Sequence, residues 1–146
     1  MPKRFTLSEA QSLIPEITRL LQKVVELKSE YEEAERVRLS FTERVMLMGG
    51  LAVNREQVSQ MKQRRDEAAT RLRNGLDELR EVGCVVKDLD IGLVDFPTLF
   101  RGQEVYMCWK LGETAIEFWH GVEEGFVGRK PIDDDFRAHH EGERAQ

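Results

Sequence analysis

The chain has little of several features that would assign it to a class at once. It has two cysteines, Cys84 and Cys108, in 146 residues, which is too few for a disulfide framework, so we expect reduced thiols. No apolar run approaches the roughly 20 residues of a membrane span, and residues 1–6 lack the apolar core of a signal peptide. The sequence also lacks a phosphate-binding glycine loop, a Cys-x-x-Cys spacing and a Ser-His-Asp set. We therefore expect a cytoplasmic protein that does not bind membranes.

Charge is distributed unevenly along the chain. Residues 1–83 contain 15 basic and 14 acidic side chains, whereas residues 84–146 contain 7 and 13, within a net charge of −5. The acidic C-terminal half argues against a phosphate-binding surface there. One basic cluster stands out in the first half, but on a helix its members point in several directions: Lys62, Arg64, Arg65, Arg71 and Arg73. We interpret it as a solvated helix and do not expect a nucleic-acid partner.

Apolar residues recur in alternating steps of three and four along two long stretches, which predicts helices packed along one seam. The first stretch is broken at Arg38 and the second at Arg65. If the chain folds back at residues 49–52, the stretches form an antiparallel hairpin in which Phe41 faces Met61. The seam positions are Ile17, Leu20, Val24, Leu27, Tyr31, Ala34, Phe41 and Val45, then Val58, Met61, Ala68, Leu72, Leu76 and Leu79.

The helix ends carry start and stop signals. Thr6 and Glu9 have the spacing of a capping box, which predicts a short opening helix. Pro15 cannot continue that helix and should begin the long one, which we predict at about residues 15–48. The second long helix is predicted at about residues 54–82.

Beyond Gly83 the pattern changes from helical to β-like, and Pro97 should end the second strand. The predicted elements are strands at 84–86, 92–96 and 104–110, a turn at Arg101–Gly102, a short helix at 114–120 and a loop at 121–132. The fold class is therefore α+β: a long antiparallel helical hairpin followed by a small antiparallel sheet and a short helix. We expect one domain over residues 1–132, with the hairpin at 6–83, and a disordered acidic tail at 133–146.

Four short motifs follow one another in the C-terminal half. They are GLVDFP at 92–97, CWKLGE at 108–113, IEFWH at 116–120 and GRKPI at 128–132. With these motifs the chain resembles a family of small, functionally uncharacterised prokaryotic proteins catalogued as a domain of unknown function. That family joins a helical N-terminal half to the motifs GLVDFP, CW-K/R-LGE, I-x-x-WH and G-R-x-P-I. The resemblance implies a fold and a set of positions, but no reaction and no cofactor.

Five polar side chains of these motifs form the candidate site: Asp95, Glu113, Glu117, His120 and Arg129. Glu117 and His120 are three apart on the predicted helix and would share one face. A Glu-x-x-His pair is half of the carboxylate di-metal signature, but the chain has no second pair. A mononuclear metal site built from His120, an acidic residue and Cys108 is the other metal hypothesis. An alternative function is therefore a small metal-binding protein or hydrolase-like enzyme that uses Asp95, Glu113, Glu117 and His120.

Each candidate also has a purely structural interpretation, which we favour at this stage. On the predicted short helix, Glu113 would lie at the N-terminus and His120 at the C-terminus, as the helix dipole prefers. Asp95 would cap a turn or pair with Arg129. Cys108 would be a buried thiol, unless the fold brings His120 close enough to act as its base.

Arg38 and Arg65 face each other in the predicted seam, and two guanidinium groups in one layer need anions. Their heads would either reach acidic neighbours such as Glu35 and Asp66, or hold a bound anion or the acidic residues of a partner. The pair is thus a candidate anion or partner site.

Apolar residues off the seam predict self-association. Leu21, Val25, Leu39 and Met46 need a second covering surface, and the turn region at 45–53 is apolar for an exposed loop. A second copy of the chain would cover both, and the alternative is that the apolar turn contacts some other protein. The leading functional hypothesis is a non-enzymatic, self-associating interaction or scaffold protein, a homodimer.

Overall fold

A computed structural model describes residues 3–49 and 55–141. The contacts divide the chain into two compact units, one of Gln22–Asp77 and one of Met1–Leu21 with Glu78–Gln146. The α+β class is confirmed, with a helical hairpin followed by an antiparallel sheet and a short helix. The elements are α1 (Leu7–Ser12), α2 (Ile14–Leu47), α3 (Arg55–Val82), β1 (Val85–Asp88), β2 (Leu93–Phe100), β3 (Gln103–Lys110), β4 (Phe118–Gly121), β5 (Lys130–Pro131), α4 (Asp134–His139) and β6 (His140–Glu141).

The predicted capping box is confirmed at the start of α1. Thr6 Oγ1 accepts a hydrogen bond from the Glu9 amide at 3.1 Å, and Glu9 Oε1 accepts one from the Thr6 amide at 3.2 Å. Helix α1 ends at Ser12, and Pro15 lies in the first turn of α2. A first-turn amide has no partner within its helix, so the missing donor costs nothing there.

Helices α2 and α3 are antiparallel. Arg65 Nη1 lies 3.5 Å from Glu35 Oε2, and Arg71 Nη2 lies 3.8 Å from Glu30 Oε2. The residue number on α3 increases as the residue number of its partner on α2 decreases, as in an antiparallel helical hairpin. The predicted turn residues 50–52 and the predicted helix start at Asn54 lie outside the described residues.

The sheet is antiparallel throughout, with strand order β1-β2-β3-β4-β5 and with β6 paired to β2. Strands β2 and β3 are joined by the predicted Arg101–Gly102 turn, where both residues have positive φ, 51° and 81°. Positive φ at both positions matches the twist of a two-residue hairpin. This turn places Phe100 opposite Gln103 and sets the register of the two longest strands.

The prediction that Pro97 ends β2 is wrong, because the proline lies inside this strand. Strand β1 pairs with residues 93–95 and β6 with Leu99 and Phe100, so neither neighbour pairs with Pro97 on that side. Its carbonyl instead accepts a hydrogen bond from the Phe5 amide at 2.8 Å. The proline therefore occupies a gap between two partner strands, where its missing N–H breaks no ladder bond.

The predicted helix at 114–120 is wrong, because Phe118–Gly121 forms strand β4 against β3. The short helix that follows most of the sheet is α4, which lies in the segment that we expected to be disordered. Asp133 Oδ1 caps it by accepting from the Phe136 amide at 2.9 Å. Phe136 is fully buried, with its ring 5.0 Å from Phe100 and 5.2 Å from Trp119. The burial of this aromatic side chain, together with the pairing of β6 to β2, accounts for the helix and strand that this segment forms.

The two faces of the sheet differ in chemistry. Alternate residues of β2 and β3 form an apolar face in which Val94, Phe96, Met107 and Trp109 are buried. Phe5 packs edge-to-face on Phe96 at 5.5 Å. The opposite face contains Asp95, Cys108 and His120. Among the described residues, no helix is long and apolar enough to cross a membrane.

Candidate functional sites

Three buried polar residues meet on the second face of the sheet. Asp95 lies directly opposite Cys108 across β2 and β3, and His120 lies opposite Tyr106, one step diagonal from Cys108. One ligand atom from each of Asp95, Cys108 and His120 lies within 4.8 Å of the other two. All three side chains are almost fully buried. We call these residues the sheet triad.

Hydrogen bonds orient the histidine of the sheet triad. His120 Nδ1 lies 2.8 Å from the Gly121 carbonyl oxygen, and His120 Nε2 lies 3.0 Å from Asp95 Oδ1. The Tyr106 ring packs on the imidazole with its centroid 5.6 Å away. Among the described residues, Asp95 Oδ2 is buried without a hydrogen-bond partner. The carboxylate thus has an unused acceptor inside the protein, where an unpaired polar atom is costly.

The thiol of the sheet triad is not an activated nucleophile. Burial is the largest cause that raises the pKa of Cys108 to about 12, and the negative charge of Asp95 contributes to that rise. A thiolate is the reactive form, and reactive cysteines have a lowered pKa and access to solvent. Although His120 is close, its Nε2 is directed at Asp95, so the arrangement does not provide a cysteine–histidine nucleophile pair.

Glu113 and Arg129 form a second polar pair. Arg129 Nη2 donates to both Glu113 carboxylate oxygens at 2.8 Å, and its guanidinium lies 4.0 Å from the Phe118 ring centroid. Glu113 Oε1 also accepts from the Lys110 amide at 2.7 Å. The predicted pairing of Asp95 with Arg129 is therefore wrong. Strand β4 places His120 against Asp95 instead. The charges of Arg129 and Glu113 still reach Cys108, lowering and raising its pKa respectively.

Glu117 does not join either group. It precedes strand β4 with an exposed side chain, and its carbonyl accepts from the Ile132 amide at 2.8 Å. The expected shared face with His120 depended on a helix that does not form. Of the five predicted site residues, the structure brings together Asp95 with His120 and Glu113 with Arg129.

Sequence reasoning left Cys108 on the margin of the site, although the sequence contains a signal for its position. A two-residue turn at Arg101–Gly102 places Asp95 and Cys108 opposite each other, since each lies the same number of residues from the turn. Counting outward from this turn is therefore enough to pair the two residues across the hairpin.

The seam arginines share a carboxylate on the hairpin. Glu35 accepts from Arg38 Nε and Nη2 at 3.2 and 2.7 Å and lies 3.5 Å from Arg65 Nη1. Arg65 Nε also donates to Asp66 Oδ1 at 2.8 Å. The hydrogen bond from Arg38 holds the pKa of Glu35 below its usual range. The anion between the two guanidinium groups therefore comes from the chain itself.

The hairpin leaves much apolar surface uncovered. Among the described residues of α2, none beyond Val24 is buried. A groove with a volume of about 460 Å³ runs along the hairpin and is lined by Ser29, Glu30, Glu33, Ala34, Val37, Met61 and Arg64. Leu39, Leu47 and Val58 are also exposed, Leu47 to 80%. We call the groove lined by the seven residues from Ser29 to Arg64 named above the hairpin groove.

Comparison with known proteins identifies a family. The model of a family described as "Uncharacterized conserved protein (DUF2203)" matches residues 3–132. No curated protein and no solved structure matches the chain.

Proposed function

The chain belongs to this uncharacterized conserved family, because the family model covers most of its length. For this member of the family, we propose a non-enzymatic interaction protein that forms a homodimer through the hairpin groove. The observation that carries the proposal is the exposed apolar surface of α2 and α3. Two helices can bury only the residues between them, so a hairpin with apolar residues on further faces needs another surface to cover it.

The charges around the hairpin groove favour a second copy of the chain as the occupant. Glu30 and Glu33 lie on the α2 wall, and Arg64 lies on the α3 wall. In a two-fold symmetric dimer, Arg64 of each copy meets the acidic wall of the other, where Glu30 and Glu33 also contact Arg71 and Arg36 of their own chain. Val37 and Met61 supply the apolar floor between the walls.

The basic residues of α3 support a protein partner rather than nucleic acid. Arg71 lies 3.8 Å from Glu30, and Arg65 is paired with Glu35 and Asp66. A phosphate-binding surface needs cations that are free to contact phosphates, and these two members of the basic cluster are already matched by carboxylates. The cytoplasm is the proposed compartment, since Cys84 and Cys108 are unpaired thiols and thiols persist there.

Sedimentation of the full chain tests the proposal. Wild-type protein should form a dimer at micromolar concentration, and Val37→Glu should weaken the dimer by about tenfold or more, because it places a charge in the apolar floor of the hairpin groove. The matched control is Val122→Glu, which changes an exposed valine of the other compact unit and should leave the dimer intact.

Two results would overturn the proposal. A wild-type protein that stays monomeric at micromolar concentration removes self-association altogether. Equal weakening by Val37→Glu and Val122→Glu removes the hairpin groove as its location.

A further inference from the structure

The proton on the imidazole of His120 can be located from its surroundings. Nδ1 lies 2.8 Å from the Gly121 carbonyl oxygen, and a carbonyl can only accept a hydrogen bond. Nδ1 therefore carries a hydrogen. In neutral imidazole the lone pair is then on Nε2, the nitrogen that is directed at Asp95.

Two acceptors consequently face each other at short range. Nε2 lies 3.0 Å from Asp95 Oδ1, and both atoms are electron-rich when the histidine is neutral and the aspartate ionised. The other carboxylate oxygen, Oδ2, is buried without a partner among the described residues. A proton between Nε2 and Oδ1, or a metal ion, is therefore required to hold this group together.

The cysteine makes the metal ion the better fit to the donor set. A proton on Nε2 would satisfy only the contact with Oδ1, and the Cys108 thiol, which also hydrogen-bonds to Asp95, is only a weak donor for the carboxylate. The thiol of Cys108 supplies a third donor atom within 4.8 Å of the other two. A carboxylate, a thiolate and a neutral imidazole together carry two negative charges, which neutralise a divalent ion in a buried site.

We propose that Asp95, Cys108 and His120 form a binding site for a divalent transition metal ion of the zinc type. Zinc accepts mixed nitrogen, sulfur and oxygen ligands, and three protein ligands leave one position of a tetrahedral ion for an exogenous ligand. The contact from Nδ1 to the Gly121 carbonyl is the outer hydrogen bond that metal-bound histidines make, and it presents Nε2 to the ion.

The sheet provides a rigid support for this site. Each ligand residue lies on a different strand, β2, β3 or β4, and the register between the strands fixes their spacing. Tyr106 packs on the imidazole, and Arg129 stacks on Phe118 in the same part of the sheet. The metal site does not depend on self-association, so failure of one of the two proposals would leave the other unaffected.

Cobalt titration of the untagged full chain tests the site directly. After treatment with a chelator, addition of Co²⁺ should give a thiolate-to-cobalt charge-transfer band that saturates at stoichiometric metal, and Zn²⁺ should abolish the band by displacement. The band reports a cysteine ligand, so cobalt held only by His139 and His140 does not produce it.

Three variants assign the ligands. Cys108→Ser should abolish the charge-transfer band, whereas Cys84→Ser, which alters the other buried thiol, should retain it. Asp95→Asn should weaken cobalt binding. Zinc should raise the melting temperature of the wild type increasingly with concentration, and Asp95→Asn should reduce that increase.

The wild-type titration alone can overturn the proposal, even if a variant fails to fold. Absence of a saturable charge-transfer band in the wild type excludes metal binding by Cys108. Loss of the band in Cys84→Ser together with its persistence in Cys108→Ser places the ion elsewhere. Either result would leave His120 and Asp95 as a buried ion pair held by a proton.

Discussion

The two compact units of this protein satisfy their apolar residues in opposite ways. One unit, Met1–Leu21 with Glu78–Gln146, contains the sheet and is called the sheet unit. It buries four large side chains to at least 99%: Phe96, Met107, Trp109 and Phe136. In the hairpin unit, Gln22–Asp77, the described residues are mostly exposed or half-buried, and Val24, Ala68 and Gly75 are the buried ones. The sheet unit buries its apolar core within itself, whereas the hairpin unit leaves apolar side chains exposed, and exposed apolar patches mark interaction surfaces. This difference is the basis for proposing association through the hairpin and a metal site in the sheet.

Matched phenylalanine substitutions should give the largest difference between the units. Phe96→Ala removes a fully buried ring that packs on Phe5, and we expect it to lower the free energy of unfolding by about 3–5 kcal/mol. Phe41 is only half-buried on the hairpin, so Phe41→Ala should lower it by about 1 kcal/mol in the monomer. Urea denaturation at low protein concentration measures both values.

Protein concentration is the control for this comparison. If the hairpin is covered by a second copy, the cost of Phe41→Ala should grow as the concentration rises, while the cost of Phe96→Ala stays constant. Equal costs at low concentration would mean that the hairpin packs as tightly as the sheet, which contradicts the contrast drawn here.

The sequence predicted the hairpin well, since its signals are local and repeated. Steps of three and four locate α2 and α3, and Thr6 with Glu9 marks the start of α1 through contacts only three residues apart. The pairing of Phe41 with Met61 is consistent with the structure, where both line one cavity. Each of these inferences uses neighbours along the chain, and none requires knowledge of a distant partner.

The sheet was harder to predict, because its elements depend on distant partners. The segment Phe118–Gly121 is a strand through its pairing with β3, and Glu117 with His120 imitated a helical spacing. Pro97 is tolerated through a gap between β1 and β6 that no local pattern shows. Phe136 orders the tail by filling a space between Phe100 and Trp119.

The layer formed by Glu35, Arg38 and Arg65 provides a second test of the contrast. These side chains are about a quarter exposed and paired with each other, and a polar layer in a helical seam often costs stability while fixing register. Replacing all three with leucine should raise the melting temperature and broaden the oligomer distribution in sedimentation. Arg38→Leu with Arg65→Leu, which leaves Glu35 without its cations, should raise the melting temperature less.

A fall in the melting temperature of the triple variant would show that this layer stabilises the hairpin. An unchanged, single oligomeric state in that variant would show that the layer does not specify the pairing of the helices.

The smallest expected effect concerns pH, to which Cys84 in the sheet unit and Glu35 in the hairpin unit should respond in opposite directions. Burial raises the pKa of Cys84 from 9.0 to about 11, so above pH 9 the unfolded chain loses this proton before the folded chain does. The contribution of the thiol to stability is complete below pH 9 and is lost as the pH rises through about 11, about 1 kcal/mol of it by pH 10. Glu35 has the opposite sign, since its lowered pKa makes its contribution to stability disappear as the pH falls.

Urea denaturation at about pH 8 and about pH 10 should therefore show a smaller alkaline loss of stability for Cys84→Ser than for the wild type. Serine keeps a donor for the Leu79 carbonyl, which Cys84 Sγ contacts at 3.6 Å, and Cys108 titrates equally in both proteins. An identical alkaline loss in the two proteins would mean that Cys84 is not shielded from water in the folded state.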